Sequence, residues 1–345
     1  MTEQKPPEQR LMLELQTRSA WNERNYEQAQ AFAMEMADCA AIEEDSIGYW
    51  NATFIVAECL RKQGRMDESK AFADDLAVHP LTSQSTALSA RVSTLAAFAL
   101  QGRGDLDLAI EAAKSAVQDS TAEPNEPSIR IEAQNALIAA LAESGRLEAA
   151  WQQSRSLAEL LSSNPESPYA GQSYWAIGNV AFLLQRTDDG IDYHRWAAKT
   201  LSPTNDLDLW ARFNHGSAQV RLAAGVVEPE TLECIERAEL ASSIVGGTER
   251  DHEELKLTRA HWLVLTGQFE ASADLLRSVV ANKDLVASHT AAQAHFLLGQ
   301  ALSGLGNKAG ATANLELSEE LFLQSGAEDR ATAARELIES LRRRE

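Results

Sequence analysis

A short phrase recurs eight times along the 345-residue chain, starting at positions 24, 64, 104, 145, 185, 225, 267 and 306. The intervals are 40, 40, 41, 40, 40, 42 and 39 residues, which chance does not produce. The early copies read Arg24-Asn25-Tyr26-Glu27-Gln28-Ala29, Gly64-Arg65-Met66-Asp67-Glu68-Ser69, Gly104-Asp105-Leu106-Asp107-Leu108-Ala109 and Gly145-Arg146-Leu147-Glu148-Ala149-Ala150. The later ones are Gln185-Arg186-Thr187-Asp188-Asp189-Gly190, Gly225-Val226-Val227, Gly267-Gln268-Phe269-Glu270-Ala271-Ser272 and Gly306-Asn307-Lys308-Ala309-Gly310-Ala311. A period of this length means that each unit is one supersecondary element unable to bury its apolar face alone. Stacked copies then share a core that grows in one dimension. Such an array escapes the size limit of about 250–300 residues that would otherwise split this chain into two globular domains.

The phrase has the chemistry of a helix hairpin. Glycine, or another polar residue in two copies, ends the first helix where positive φ is useful. The large apolar residue two places on is expected to pack back between the two helices. Acidic residues then favour the positive N-terminus of the second helix, and a small residue lets the helices approach closely. Proline keeps a second clock: Pro80, the pair Pro124 and Pro127, the pair Pro165 and Pro168, and Pro203 each follow a second helix. There proline stops one helix and tolerates the first turn of the next. Ser167-Pro168 and Thr248-Glu249 read as N-cap pairs.

This reading predicts an all-α fold: an α-solenoid of eight helix hairpins with a C-terminal capping helix. The hairpins cover about 8–40, 46–78, 83–119, 126–163, 168–201, 205–243, 249–282 and 286–324. Residues 1–7 are expected as a disordered tail, and 8–345 as a single solenoid domain. The cap, about 328–344, carries Glu328, Asp329, Arg330, Arg335, Glu336 and Glu339, the polar surface a terminal element needs.

Several first helices resemble the tetratricopeptide (TPR) pattern. Tyr174-Trp175-Ala176-Ile177-Gly178 with Ala181, and His295-Phe296-Leu297-Leu298-Gly299 with Leu302, set large, large and small residues at that family's packing spacing. Ala29, Ala109 and Ala150 sit at its small second-helix position. The resemblance covers about 8–325. The long period is similar to that of bacterial peptide-sensing regulators of the Rap and NprR group and of MalT-like regulators. It implies a right-handed superhelix whose first helices line a groove for a peptide or protein segment. Those transcription factors carry a separate helix-turn-helix DNA-binding domain, whereas here the first repeat begins within the first fifteen residues.

Acidic residues outnumber basic ones by 51 to 31, a formal charge of −20. That surface repels phosphate backbones and anionic membranes and attracts basic or neutral partners. Neither direct nucleic-acid binding nor membrane binding is expected. The run Arg342-Arg343-Arg344 suits a helix C-terminus. Cys39, Cys59 and Cys234 are an odd number without CxxC spacing and read as small hydrophobes of a reducing compartment. No secretory h-region opens the sequence, so a cytoplasmic location is expected.

No catalytic, cofactor or metal constellation stands out. The seven histidines make no HExxH and no His/Cys cluster. Asp188-Asp189-Gly190-Ile191-Asp192 lacks EF-hand spacing, and Gly304-Leu305-Gly306-Asn307-Lys308 follows a helix without the P-loop spacing. A non-enzymatic module is expected.

By the family resemblance and the 3.6-residue period, first-helix residues about 13, 10, 6 and 3 places before the turn face the groove. That selects Asn51, Phe54, Glu58 and Arg61, then Arg91, Thr94 and Phe98, then Glu132 and Asn135. Gln172, Trp175, Asn179 and Phe182 follow, and last come Arg212, His215, Gln219, His261, Gln293, Phe296 and Gln300. Amides can clamp an extended backbone, and the aromatics supply apolar pockets. Gln172, Trp175, Asn179 and Arg212 form the expected central cluster. Trp151, Tyr193 and Trp196 are expected in the core. Trp21 and Trp50 flank the first junction, where a partner or a second copy in a homodimer would attach. The reading is a peptide- or protein-binding regulatory module. The alternatives are a scaffold for folded partners, or the detached sensor domain of a helix-turn-helix regulator.

Overall fold

A computed structural model describes residues 6–123 and 125–343. The tail expected over 1–7 lies outside the described residues for 1–5, while Pro6 and Pro7 already belong to the first helix. The hairpins are α1 (Pro6–Asn22) with α2 (Tyr26–Ile42), and α3 (Ser46–Lys62) with α4 (Met66–Ala77). A single-turn α5 (Pro80–Ser83) leads into α6 (Thr86–Arg103) with α7 (Leu106–Ser120), then α8 (Pro127–Glu143) with α9 (Leu147–Ser162). Next are α10 (Ala170–Leu183), α11 (Thr187–Thr200), α12 (Leu207–Ala223) with α13 (Pro229–Val245), and α14 (Glu249–Leu265) with α15 (Phe269–Ala281). A 3-10 turn at Lys283–Leu285 precedes α16 (Ser288–Gly304) with α17 (Lys308–Gln324), and α18 (Glu328–Arg342) closes the series. The described residues contain no strand.

The turn phrase works through one backbone bond. Just past the first helix, an amide donates to the carbonyl five residues earlier. Arg65 reaches Leu60, Arg146 reaches Leu141 and Asn307 reaches Leu302, each at 2.9 Å. This closure requires a left-handed residue at the turn, and Gly64, Gly145 and Gly306 supply it at φ 76–78°. Arg24 and Gln185 take the same conformation, both at φ 59°. A side chain there costs roughly 1–2 kcal/mol, and glycine gives back part of that through its freer unfolded chain. Arg24→Gly and Gln185→Gly are each expected to stabilise the protein by about 0.5–1 kcal/mol in urea unfolding. An unchanged or lower midpoint would contradict the strain assigned to these turns.

Close approach follows from the small residues. Ala29, Ser69, Ala109, Ala150, Ser272 and Ala311 have no exposed surface. The two serines also tie their hairpins: Ser69 Oγ donates to the Ala57 carbonyl and Ser272 Oγ to that of Ala260, both at 2.9 Å. The apolar turn residue is placed differently from expectation. Met66 lies against Gly102 and Phe269 against Gly304, so each packs on the first helix of the following hairpin. A methyl at Gly102 would come within 2.8 Å of the Met66 sulfur. A larger residue there would make the Met66 side chain move aside, because it fills the volume of a Cβ.

Capping is mostly local and legible. Thr248 forms a reciprocal capping box with Asp251, Pro127 and Pro229 open their helices at the first turn, and Asp188 and Asp189 sit in the first turn of α11. Ser167 is a correction. α10 begins only at Ala170, with Tyr169 at its N-cap, and Ser167 Oγ accepts from the Tyr169 amide in the preceding turn.

The helices gather into two compact units, Met1–Arg186 and Thr187–Glu345. In the first, first helices touch in the order α3, α6, α8, α10. Its core includes Trp50, Leu76 and Val92. Trp50 donates from Nε1 to Thr82 Oγ1 at 2.8 Å, and Thr82 donates to the Leu76 carbonyl at 2.6 Å. The one-turn α5 therefore supplies the tryptophan's acceptor. In the second unit α12 touches α14 and α14 touches α16. There α18 covers the end of the core, with Ile338 and Leu341 packed among Leu298, Leu302 and Leu315. Arg335 and Arg342 pair with Glu319 and Glu316 of α17; Arg344 lies outside the described residues.

Trp151 is buried, with Arg186 stacked 4.6 Å over its ring. Trp196, expected in the core, is 45% exposed and meets Tyr193 edge-on. The outer surface of a second helix faces solvent, so an aromatic there covers little core. Cys59 and Cys234 are buried and Cys39 half-buried, and none is in a disulfide. Burial, with Glu58 beside it, pushes the Cys59 thiol up to about 12, so it stays protonated and unreactive.

Candidate functional site

In the first unit the expected groove residues largely satisfy one another. Arg91 lies over Phe54 at 4.4 Å and over Trp50 at 5.2 Å, and Phe54 stacks on Trp50 at 5.3 Å. Arg61 holds Glu58 at 2.6 Å and covers the Phe98 ring at 5.0 Å. Glu132 bonds to Tyr169, and burial raises its carboxyl above the usual range while Arg91 and Arg61 pull it back. Desolvation and the nearby Glu132 in turn push the Tyr169 phenol up. Asn135 donates to Ser173 Oγ at 2.8 Å. Thr94 is buried, its hydroxyl bonded to the Ala90 carbonyl. Asn51 and Gln172 are exposed, and Trp175 and Asn179 are half-buried along α10. Phe182, expected on the groove face, is 5% exposed and belongs to the packing around α10. Cations laid on aromatic faces and paired carboxylates make this row a stapling network.

The second unit holds an open cleft of about 620 Å³. From α12 come Gln219, Val220, Leu222 and Ala223, and from α14 Arg250, Glu254, Leu257, Thr258 and His261. α16 adds His289, Thr290, Gln293, Phe296 and Leu297, and the far wall is Phe322 of α17 with Arg330 and Ala333 of α18. The 3.6-residue period places one residue per turn of each first helix on the same side, so three successive first helices and the cap converge here. Gln219, His261, Gln293 and Phe296, each expected on the groove face, all line this cleft. Arg212, paired with Asp208 at 2.9 Å, and Gln300 lie on α12 and α16 without lining the cleft. The cluster expected of Gln172, Trp175, Asn179 and Arg212 is divided in sequence between the two units.

His215 stands just behind the wall. Thr258 donates its hydroxyl to the Glu254 carbonyl at 2.9 Å and so accepts from His215 Nε2 at 3.0 Å. This fixes the imidazole tautomer, and burial lowers its pKa. His261 is held down to about 4 by burial and by the Arg330 guanidinium. Both imidazoles are thus neutral at pH 7. Among the described residues no three His, Cys, Asp or Glu side chains converge as a metal site. No described helix is long and apolar enough to cross a membrane.

Sequence reasoning missed Arg250, Glu254, His289 and Arg330. Glu254 lies 13 places before Gly267, on the expected face. Arg250 and His289 lie 17 places before their turn glycines, so extending the rule by one helical turn finds both. Arg330 follows the last hairpin and has no turn phrase to be counted from.

No protein-family profile matches the chain, and no curated protein matches it significantly. Solved structures do match. The chain is similar to the apo form of RapI at 13% identity and TM-score 0.55, over 80% of this chain and 98% of that one. It is similar to a Rap protein complexed with Competence and Sporulation Factor at 11% and 0.56, over 99% of each chain. Similarity to a chain of the APC/C hetero-tetramer Cut9–Hcn1 is 13% and 0.56, over 87% of this chain and 55% of that one. At such identities the likeness is one of fold. The chain has the all-α solenoid fold of tetratricopeptide-type helical repeats.

Proposed function

We propose that this chain is a non-enzymatic, cytoplasmic, regulatory binding module that takes an extended peptide segment in the cleft of its second unit. The observation that carries this reading is the cleft's composition. Phe296, half-buried and backed by the buried Leu257, Leu297 and Phe322, gives an apolar floor, ringed by the amides of Gln219 and Gln293, two imidazoles and two guanidinium groups. That mixture is what a ligand site needs, with apolar area for affinity and a few polar groups for orientation. Similarity of fold to a Rap protein solved with Competence and Sporulation Factor agrees with the reading. The overall charge of −20 favours partners that are basic or neutral as a whole. Asn51, Glu58, Arg91, Asn135, Gln172, Trp175 and Asn179 of the first unit are proposed as a secondary contact row, most of it already engaged internally.

The test is a fluorescent random-peptide array probed with the full chain. Ala333 is exposed on the cleft wall, so Ala333→Trp fills the cleft without disturbing the core. Retained peptides are expected to weaken at least about ten-fold in this variant, roughly 1.4 kcal/mol. Absence of peptide binders, or binders indifferent to Ala333→Trp, would overturn the proposal.

A scaffold for folded partners is favoured by one other observation. Leu11, Met12 and Leu15 of α1 are 57, 50 and 51% exposed, an apolar face on the first helix. Under that reading, or in a homodimer through the same face, Leu11→Glu with Leu15→Glu removes association and Ala333→Trp does not.

A further inference from the structure

Arg330 is a charged group of the cleft that no described carboxylate pairs. Its Nη1 donates to Gln293 Oε1 at 3.4 Å, and its Cζ lies 5.8 Å from the centre of the Phe322 ring. No carboxylate among the described residues is within salt-bridge distance of it. The contrast is Arg250 on the same lining, which Glu254 holds at 2.8 Å. The other two arginines of α18 whose side chains are described and paired, Arg335 and Arg342, are each taken up by a glutamate of α17. In a chain carrying 51 acidic residues, the one carboxylate of the cleft lining, Glu254, is taken by Arg250 and leaves Arg330 without an acidic partner among the described residues. The lining sums to two guanidinium groups against one carboxylate, a local positive charge inside a strongly negative protein.

We infer that the cleft selects peptide segments presenting a single carboxylate, which Arg330 receives. The inference rests on the cleft being the proposed binding site and names the chemistry it recognises. Guanidinium and carboxylate match in a planar, two-bond geometry. Gln293, already bonded to Arg330, orients the guanidinium, and Phe322 beneath it excludes water from one side. One net charge suits one carboxylate, whereas a phosphate with its nearly two charges would leave an excess of negative potential. The source is either an Asp or Glu side chain or the peptide's own C-terminus. An acidic anchor of this kind coexists with a partner that is neutral or basic as a whole, since long-range steering and local pairing act over different distances.

The experiment uses the peptides retained on the random-peptide array, each resynthesised in two altered forms. In one, every Asp and Glu becomes Asn and Gln; in the other, the C-terminus is amidated. Binding to the full chain is expected to weaken at least ten-fold in one of the two forms, which identifies the carboxylate's source. Arg330→Gln, at an exposed position, is expected to bind the original and the neutralised peptide equally. Equal binding of all three forms to the unaltered chain, or a requirement for a basic residue in the peptides, overturns the carboxylate assignment and leaves the cleft as a binding site. Retention of the same discrimination in Arg330→Gln overturns the role of that residue. An array without Ala333→Trp-sensitive binders overturns the cleft itself.

Discussion

Trp50→Ala is expected to destabilise the first unit by about 3–5 kcal/mol, the upper range for truncating a buried aromatic. Trp50 is 1% exposed and among the largest fully buried side chains. Three interactions end with it. Its indole N–H bonds to Thr82, its ring stacks on Phe54 with planes 9° apart, and it carries part of the Arg91 guanidinium. The void left behind cannot close, because Leu76 and Val92 are held by their own helices. Thr82 still donates to the Leu76 carbonyl, so the loss is packing first and hydrogen bonding second. Trp50→Phe, which keeps most of the ring, is therefore expected to cost less than half as much. Repeat arrays do not always unfold in one step, so hydrogen exchange of the α3, α4 and α6 amides is the suitable readout beside urea unfolding. A change below about 1 kcal/mol would mean that the ring is not part of the core. It would return Trp50 to the role of a partner-facing residue at the first junction. Trp196→Ala, at an exposed position, serves as the control with little expected effect.

Acid is expected to weaken the second unit through His261. Its folded pKa of about 4 lies below the ordinary 6.5, so folding favours the neutral ring. The sign follows: the stabilisation is complete above pH 6.5 and is lost as the pH falls from there toward 4. A separation of about 2.5 pH units corresponds to roughly 3 kcal/mol at most. Burial is the larger cause and the Arg330 charge the smaller. His215, lowered by burial in the same unit, adds to the trend in the same direction. Glu254 and Arg250 also face the cleft, but their mutual pair offsets their charges. His261→Gln keeps a polar side chain without a titrating ring, so its stability should fall less steeply between pH 6.5 and 4. Unfolding curves for both proteins across that window check this, and parallel pH profiles would show that His261 is not the group responsible. Arg330→Gln should move the His261 titration upward slightly, which proton chemical shifts can follow.

Much of this architecture could be read from the chain because its determinants are local. Left-handed turn residues, first-turn prolines and the Thr248–Asp251 box act within a few residues of themselves, so the helix ends follow from residues close by in sequence. The elements that escaped are short. α5 and the 3-10 turn at Lys283–Leu285 contain too few residues to show a period, and Ser167 competes with Tyr169 for the start of α10. The spacing rule found the side of each first helix that meets its neighbours. It could not say whether a side chain on that face would be buried like Phe182, consumed like Arg91, or left open like Gln219.

The hairpin, its period and its all-helical character are set by consecutive residues, because turn chemistry and amphipathic spacing act along the chain. Where an opening survives depends on packing between repeats. In the first unit Trp50, Phe54 and Phe98 meet Arg91 and Arg61 across separate helices and close the row. In the second, α18 brings Arg330 to face His261 and Gln293 from about 37 to 69 residues away. Such meetings depend on how side chains of different repeats fill shared space, and no local pattern encodes that.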